Sequence, residues 1–428
     1  MKMKVFDPAH TESRRQLSIR LFNQRDWEGA LLAVDEALAG CPEMADMCAS
    51  RIALLGKLHR HEEAARYLEK LPAAVRDSTA LVHARVNLLN LAGRHAEAQH
   101  LLVSGVRETI RLREFDLALI NQLLTARISS GSDWPGIAAE LAYYGTCQPD
   151  DSRYQGLIAS YAMIYAWLND ATPAMMAIAK RHEQFELLPD IDADRAMRVF
   201  YRYLRLLASV AQAAPPPLPG ASGVLNVLGE SHCLSPANAI FPWHGELKKA
   251  RSRFVMGIQM HHLAQAGGNI YKQRVLSHLQ AITQGPLLLA IGEIDCRPIE
   301  GMWRAAMRSG VALDSLVAST VGGYFAFLDQ ALGQRAWPSI TVQGVPAPGY
   351  DLTDSRDPGD KQGFIEMIRK VNVLLQVGAR QRSWHFLDVH AATSRTDGLG
   401  NGEWHLDRYH LSPVFYQHAM RWIDTATT

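Results

Sequence analysis

The stretch Val224-Leu225-Asn226-Val227-Leu228-Gly229-Glu230-Ser231-His232 decides how the second half of this 428-residue chain is read. Five mostly apolar residues run without alternation into a Gly and then a Ser. That is the pattern of a strand buried on both faces and closed by a tight turn, as in a parallel sheet covered by helices. Ser231 then stands at the strand's carboxyl end. Open α/β sheets bind ligands at that end, so its hydroxyl is a candidate nucleophile. A second signal lies far downstream, where Asp407-Arg408-Tyr409-His410 sets a carboxylate three residues before an imidazole. Ser412-Pro413 comes next and opens a last helix. Hydroxyl, imidazole and carboxylate are the three groups of an acyl-transfer triad.

Working outward, apolar runs at 224–229, 253–258, 286–291, 340–345 and 384–389 alternate with longer stretches that are apolar at helical spacing. Five strands separated by helices predict a parallel sheet covered on both faces, within one domain over 223–428. Immediately before it, AQAAPPPLPGAS at 211–222 carries three successive prolines and a fourth two residues on. It reads as a stiff connector and sets the domain boundary.

Residues 1–210 carry no such alternation. Arg25-Asp26-Trp27-Glu28-Gly29-Ala30, Arg60-His61-Glu62-Glu63-Ala64 and Arg94-His95-Ala96-Glu97-Ala98 bring Ala30, Ala64 and Ala98 round at a constant 34-residue offset. Leu21, Leu55 and Leu89 keep the same offset. A small residue at this period, where two helices cross closely, resembles the tetratricopeptide repeat, and the resemblance implies stacked helix pairs forming an all-α solenoid. Helical patterning continues beyond Val106 in a fading register. Such arrays present a surface to a peptide, a protein or another domain; a packing platform without a ligand is the alternative.

The order of motifs in 223–428 resembles the SGNH (GDSL-like) hydrolase superfamily. That resemblance implies a three-layer, flavodoxin-like α/β domain, here with a five-stranded parallel sheet. Gly229-Glu230-Ser231 matches the family's Gly-Asp-Ser block with Asp changed to Glu, and Asp407-Arg408-Tyr409-His410 matches its Asp-x-x-His block. Carried over, Ser231 is the nucleophile, His410 the base and Asp407 the group that orients the imidazole. Gly257 is the expected backbone oxyanion donor. The family's Gly-x-Asn-Asp block falls on Gly292-Glu293-Ile294-Asp295, where Ile294 replaces the amide. Arg297 offers a guanidinium at the same edge, for the oxyanion or an anionic substrate group; the alternative is that Asp295 and Arg297 pair with each other and fix the loop.

Two other chemistries compete. His232, His261, His262, His405, Asp407 and His410 make a dense imidazole set, and His405-x-Asp407-x-x-His410 has the look of half a metal site. Cys233 and Cys296 lie just past the two motifs and are candidate thiol nucleophiles. The triad reading needs no metal or cofactor. The net charge of +1 argues against nucleic acid or an anionic membrane as partner. Five scattered cysteines without a CxxC pair, and no long apolar run, give the expectation of a cytoplasmic protein. The expected function is a Ser-His-Asp esterase or O-acyltransferase acting on an acylated sugar, glycoconjugate or other ester. A degenerate, non-catalytic module that binds a peptide or glycan is the alternative.

Overall fold

The computed structural model describes residues 7–24, 26–58, 60–112, 116–130, 134–187, 192–213, 220–333, 335–349, 352 and 360–424. The chain forms two compact units, 1–123 with 268–270, and 124–267 with 271–428.

In the first unit, antiparallel helix pairs succeed one another: Pro8–Asn23 with Trp27–Gly40, Ala45–Lys57 with His61–Lys70, and Val82–Leu91 with His95–Leu112. The ends are set locally. Asp7 accepts from the amides of Ala9 and His10 ahead of Pro8, and Asp26 accepts from the amide of Gly29. Ala30, Ala64 and Ala98 are each the fourth residue of a pair's second helix, and all three are buried. Glu62, two residues from Ala64, is solvent-exposed. Ala64→Leu is therefore expected to destabilise the protein by about 1–3 kcal/mol, through overpacking at a close helix contact. Glu62→Leu is expected to leave stability within about 0.5 kcal/mol. Thermal unfolding of the two variants checks this register; equal tolerance would contradict it.

The second unit holds the helices Trp134–Gly145, Ser152–Leu168, Thr172–Arg181 and Asp192–Ala213 together with the sheet. Hydrogen bonds tie these helices to the chain beyond the proline run. Trp167 Nε1 donates to Leu234 O at 2.9 Å, and the Tyr203 hydroxyl lies 2.7 Å from Ser235 Oγ. The compact units thus part at residue 123, and not at the expected boundary of 211–222. Residues 214–219 of that connector lie outside the described residues. The proline run breaks the helical period, but contacts made beyond it, among them Phe200 on Phe254 with ring centres 5.6 Å apart, hold these helices to the unit that contains the sheet.

One sheet runs through this unit in the order β2-β3-β1-β4-β5-β6-β7. Its strands are β1 (Gly223–Gly229), β2 (Ile240–Trp243), β3 (Glu246–Phe254), β4 (Leu287–Ala290), β5 (Ile340–Gln343), β6 (His385–Leu387) and β7 (Ile423–Asp424). The pairs from β3 to β6 are parallel, whereas β2 pairs antiparallel with β3, and β7 with β6. The five-stranded, all-parallel, flavodoxin-like sheet expected from the sequence is thereby corrected to a seven-stranded mixed one. Both added strands are edges. β2 tolerates the exposed Pro242 for that reason, and β7 is only two residues long. β3 is the polar stretch ELKKARSRF, so the apolar run 253–258 covers only its last two residues.

β1 lies near the middle of the sheet and is buried over Leu225–Gly229, as its unbroken apolar run requires. The helices Ile270–Ala281, Leu313–Leu332 and Lys361–Arg380 pack their apolar stripes into the main core, around Leu228, Val275, Val321, Phe364 and Val371. At the strand end, a Cβ on Gly229 would stand 2.1 Å from Ala290 O. Only glycine lets β1 and β4 approach this closely just before the Ser231 turn. Among the described residues no helix is long and apolar enough to cross a membrane.

Candidate active site

Ser231 opens the 3-10 turn Ser231–Leu234 directly beyond β1, and Glu230 caps that turn by accepting from the His232 amide at 3.0 Å. From the other end of the chain, Asp407 folds its own loop. One carboxylate oxygen, Oδ1, accepts from the amides of Tyr409 (2.8 Å) and His410 (2.7 Å), and the other, Oδ2, accepts from His410 Nδ1 at 2.8 Å. A spacing of three residues lets one carboxylate hold both the backbone and the ring. His410 Nε2 then lies 2.8 Å from Ser231 Oγ. Ser231 is 6% exposed and His410 3%. With Nδ1–H donated to Asp407, Nε2 is left as an acceptor for the serine hydroxyl. Burial pushes the Asp407 carboxyl up, but His410 and the two amides outweigh it and hold the group well below the usual carboxylate range.

Two features around this line were not legible as site residues. Tyr203, from the helix Asp192–Ala213, stacks on the His410 ring with centroids 3.8 Å apart and planes 17° from parallel, and its hydroxyl lies 3.2 Å from Ser231 O. The sequence placed that helix in the repeat array, so nothing pointed to it. Behind Ser231, Glu230 Oε2 lies 2.9 Å from the hydroxyl as a second acceptor, so the one hydroxyl proton is shared between that oxygen and His410 Nε2. Glu230 in turn holds His232 Nδ1 at 2.9 Å, and His232 Nε2 is 2.9 Å from Tyr409 O. A backbone carbonyl only accepts and an ionised carboxylate only accepts, so His232 carries a proton on both nitrogens. It is a buried imidazolium. Burial pushes its pKa down, but Glu230, then Glu293 and the Tyr409 carbonyl, raise it to about 9. Burial likewise pushes Glu230 up, and the imidazolium wins and keeps it ionised. The pair therefore joins the Ser231 turn to the loop that carries Asp407 and His410.

The remaining expected residues divide. Gly257 takes a left-handed turn (φ 71°) three residues past Phe254, which is paired with Gly229, so it sits at the same strand edge as Ser231. Asp295 does not face that edge with a free carboxylate. Its two oxygens accept from the amides of Met260 (2.7 Å) and His261 (3.0 Å), fixing the segment just past the Gly257 turn. Burial pushes its pKa up to about 7, with those two amides pulling the other way. Nor does Asp295 pair with Arg297. Arg297 grips Glu293 through Nε (2.8 Å) and Nη2 (2.7 Å), reaches Glu300 at 3.5 Å, and lies 4.7 Å from the Tyr409 ring centre. Arg297 thereby links the loop carrying Glu293 to the Tyr409 ring of the loop carrying His410.

The imidazoles are engaged separately. His405 Nε2 donates to Ala347 O at 3.0 Å, His262 stacks on Tyr271, and His410 is committed to Asp407 and Ser231. Glu230, His232 and Glu293 do place one ligand-type atom each within 4.8 Å of the others. With both its nitrogens donating, His232 has no lone pair to offer a metal in this arrangement. Cys233 and Cys296 are buried, and burial pushes both thiols well above their ordinary range, which keeps them protonated and poor nucleophiles. Compared with known proteins, the sequence matches no family model and no curated protein.

Proposed function

We propose that this chain is a serine hydrolase or O-acyltransferase acting on ester bonds, with Ser231 as nucleophile, His410 as base and Asp407 as the group that orients it. One observation carries the reading: the unbroken hydrogen-bonded line from Ser231 Oγ through both nitrogens of His410 to Asp407, each link 2.8 Å long. Ser231 Oγ attacks the ester carbonyl as His410 Nε2 takes its proton, and Asp407 stabilises the imidazolium that results. The oxyanion takes hydrogen bonds from backbone amides at this edge, for which those of Ser231 and Gly257 are the candidates. The alcohol leaves with the proton from His410, and water or a second alcohol then attacks the acyl-enzyme, regenerating Ser231.

The substrate class is an acyl ester, with acylated sugars and glycoconjugates as leading examples, and the helical-repeat region is a docking element for a substrate or protein partner. A second reading, a non-catalytic binding module, draws on Ile294, which supplies no amide to the oxyanion. Loss of one such donor costs about 10²–10³ in kcat, which slows an enzyme of this type without abolishing its reaction. The two readings part on one experiment. Purified protein is expected to release nitrophenol from a short-chain nitrophenyl ester, and Ser231→Ala to bring that rate down to the uncatalysed one. A wild-type rate no greater than that of Ser231→Ala would favour the binding module.

A further inference from the structure

Both catalytic loops meet on one side chain that comes from neither of them, Tyr203 of the helix Asp192–Ala213. It is 1% exposed, and Leu204, Leu207 and Ala208 beside it on the helix are fully buried, so close packing holds the ring in place. Its hydroxyl has one proton to give. Ser235 Oγ donates its own proton to Leu411 O at 2.7 Å, so toward the Tyr203 hydroxyl, also at 2.7 Å, it is the acceptor. A hydrogen-bonded line thus runs from Tyr203 through Ser235 to the residue after His410, while Ser231 O lies 3.2 Å from the same phenol. One side chain is therefore bonded to the Ser231 turn and linked to the His410 loop.

The ring itself faces the imidazole, with centroids 3.8 Å apart and 17° between the planes. An aromatic face is the negative part of the ring's quadrupole and attracts a cation placed over it. Burial pushes the Tyr203 phenol well above its ordinary range, so the ring stays neutral and keeps that face. The charge that His410 gains when it takes the serine proton forms beside one already present. The His232 imidazolium lies 5.2 Å away, centre to centre, and opposes it, although Glu230 offsets part of that field. Asp407 favours the new charge from the Nδ1 side at 2.8 Å, and Tyr203 favours it from one face of the ring.

We propose that Tyr203 is a positioning residue for His410: its ring backs the imidazole and stabilises the positive charge that builds there as Ser231 gives up its proton. The helix Asp192–Ala213 thereby belongs to the active site, although it precedes the proline run. The role in turnover rests on the hydrolase reading; the effect of the ring on the imidazolium does not.

Nuclear magnetic resonance of the full chain with labelled histidines reads that effect directly, the His410 ring signal being the one lost in His410→Ala. In Tyr203→Leu the signal is expected to titrate about one pH unit lower than in the wild type, a loss of about tenfold in the stability of the imidazolium. Tyr203→Phe keeps the face and drops the hydroxyl, so it is expected to melt lower while its titration midpoint stays with the wild type. A trifluorinated phenylalanine in place of Tyr203 keeps the shape of the ring but drains its negative face. It is expected to titrate below Tyr203→Phe, and it reads the effect even where Tyr203→Leu does not fold. Fluorophosphonate labelling of Ser231 across pH is expected to follow: in Tyr203→Leu the acid limb moves down and the plateau rate falls about tenfold, and in Tyr203→Phe both stay near the wild type. A midpoint that does not fall when the face is removed or drained would overturn the role. So would a Tyr203→Phe protein that loses labelling as fully as Tyr203→Leu, since the hydroxyl alone would then be at work. The titrations do not depend on turnover, so failure of the triad would show separately, as a wild type that takes no label.

Discussion

Asp407→Asn is expected to lower ester turnover by about 10³–10⁴-fold while the protein stays folded. The reason lies in how the two oxygens of Asp407 divide their work. Oδ1 accepts from the Tyr409 and His410 amides, and an asparagine oxygen can do the same, so the loop keeps its shape. The position of Oδ2 then holds an NH2 group, which donates. His410 Nδ1 faces it at 2.8 Å and must become an acceptor, moving the ring proton to Nε2. A protonated Nε2 cannot take the proton of Ser231. The check is kcat/KM of the variant on a nitrophenyl ester, beside a melting curve to confirm folding. Activity within tenfold of the wild type would show that Asp407 serves the loop alone.

His232→Leu is expected to be the most destabilising single change in the site, by about 3–5 kcal/mol, because it strands the Glu230 carboxylate in the interior without its cation. It also leaves Tyr409 O without its donor. Adding Glu230→Gln to His232→Leu removes the stranded charge, so the double variant is expected to be more stable than His232→Leu alone. Denaturant unfolding measures both, and equal stability of the two would mean that the pair is not coupled. The same interaction has a pH signature. It depresses Glu230 and raises His232, so its stabilisation is complete between the unfolded values of the two groups, about 4.3 and 6.5. Above that window it declines, and it is gone once the pH has risen through about 9, where His232 loses its proton. On the acid side it is lost as the pH falls through the depressed value of Glu230.

Where a run of sequence had a single physical cause, it could be read directly. β1 is apolar because both its faces are covered, and the Gly229 close approach and the Asp407 turn depend on residues within three positions of each other. The bond between Ser231 and His410 spans 179 residues, and only the shared strand-end logic of the two motifs linked them beforehand. Other parts of the fold depend on their packing partners. β3 carries Lys248, Lys249 and Arg251 because one side of it meets a short edge strand, so no apolar period marks it. Contacts with the chain beyond the proline run, which that run does not report, assign the helices of 134–213 to the second unit. Tyr203 entered the site by the same route. The charge state of His232 is set by its two acceptors, Glu230 and the Tyr409 carbonyl, and a sequence shows neither distance.

The most direct test of the triad is labelling by a fluorophosphonate, which reacts with a serine only when its hydroxyl has been activated by a base. Wild-type protein is predicted to be labelled at Ser231, as located by mass spectrometry of the digested adduct. His410→Ala is predicted to suppress that labelling while its melting curve shows a folded protein. Labelling of Ser231 that persists undiminished in His410→Ala, or a folded wild type in which Ser231 takes no label, would contradict the assignment of Ser231 and His410 as nucleophile and base.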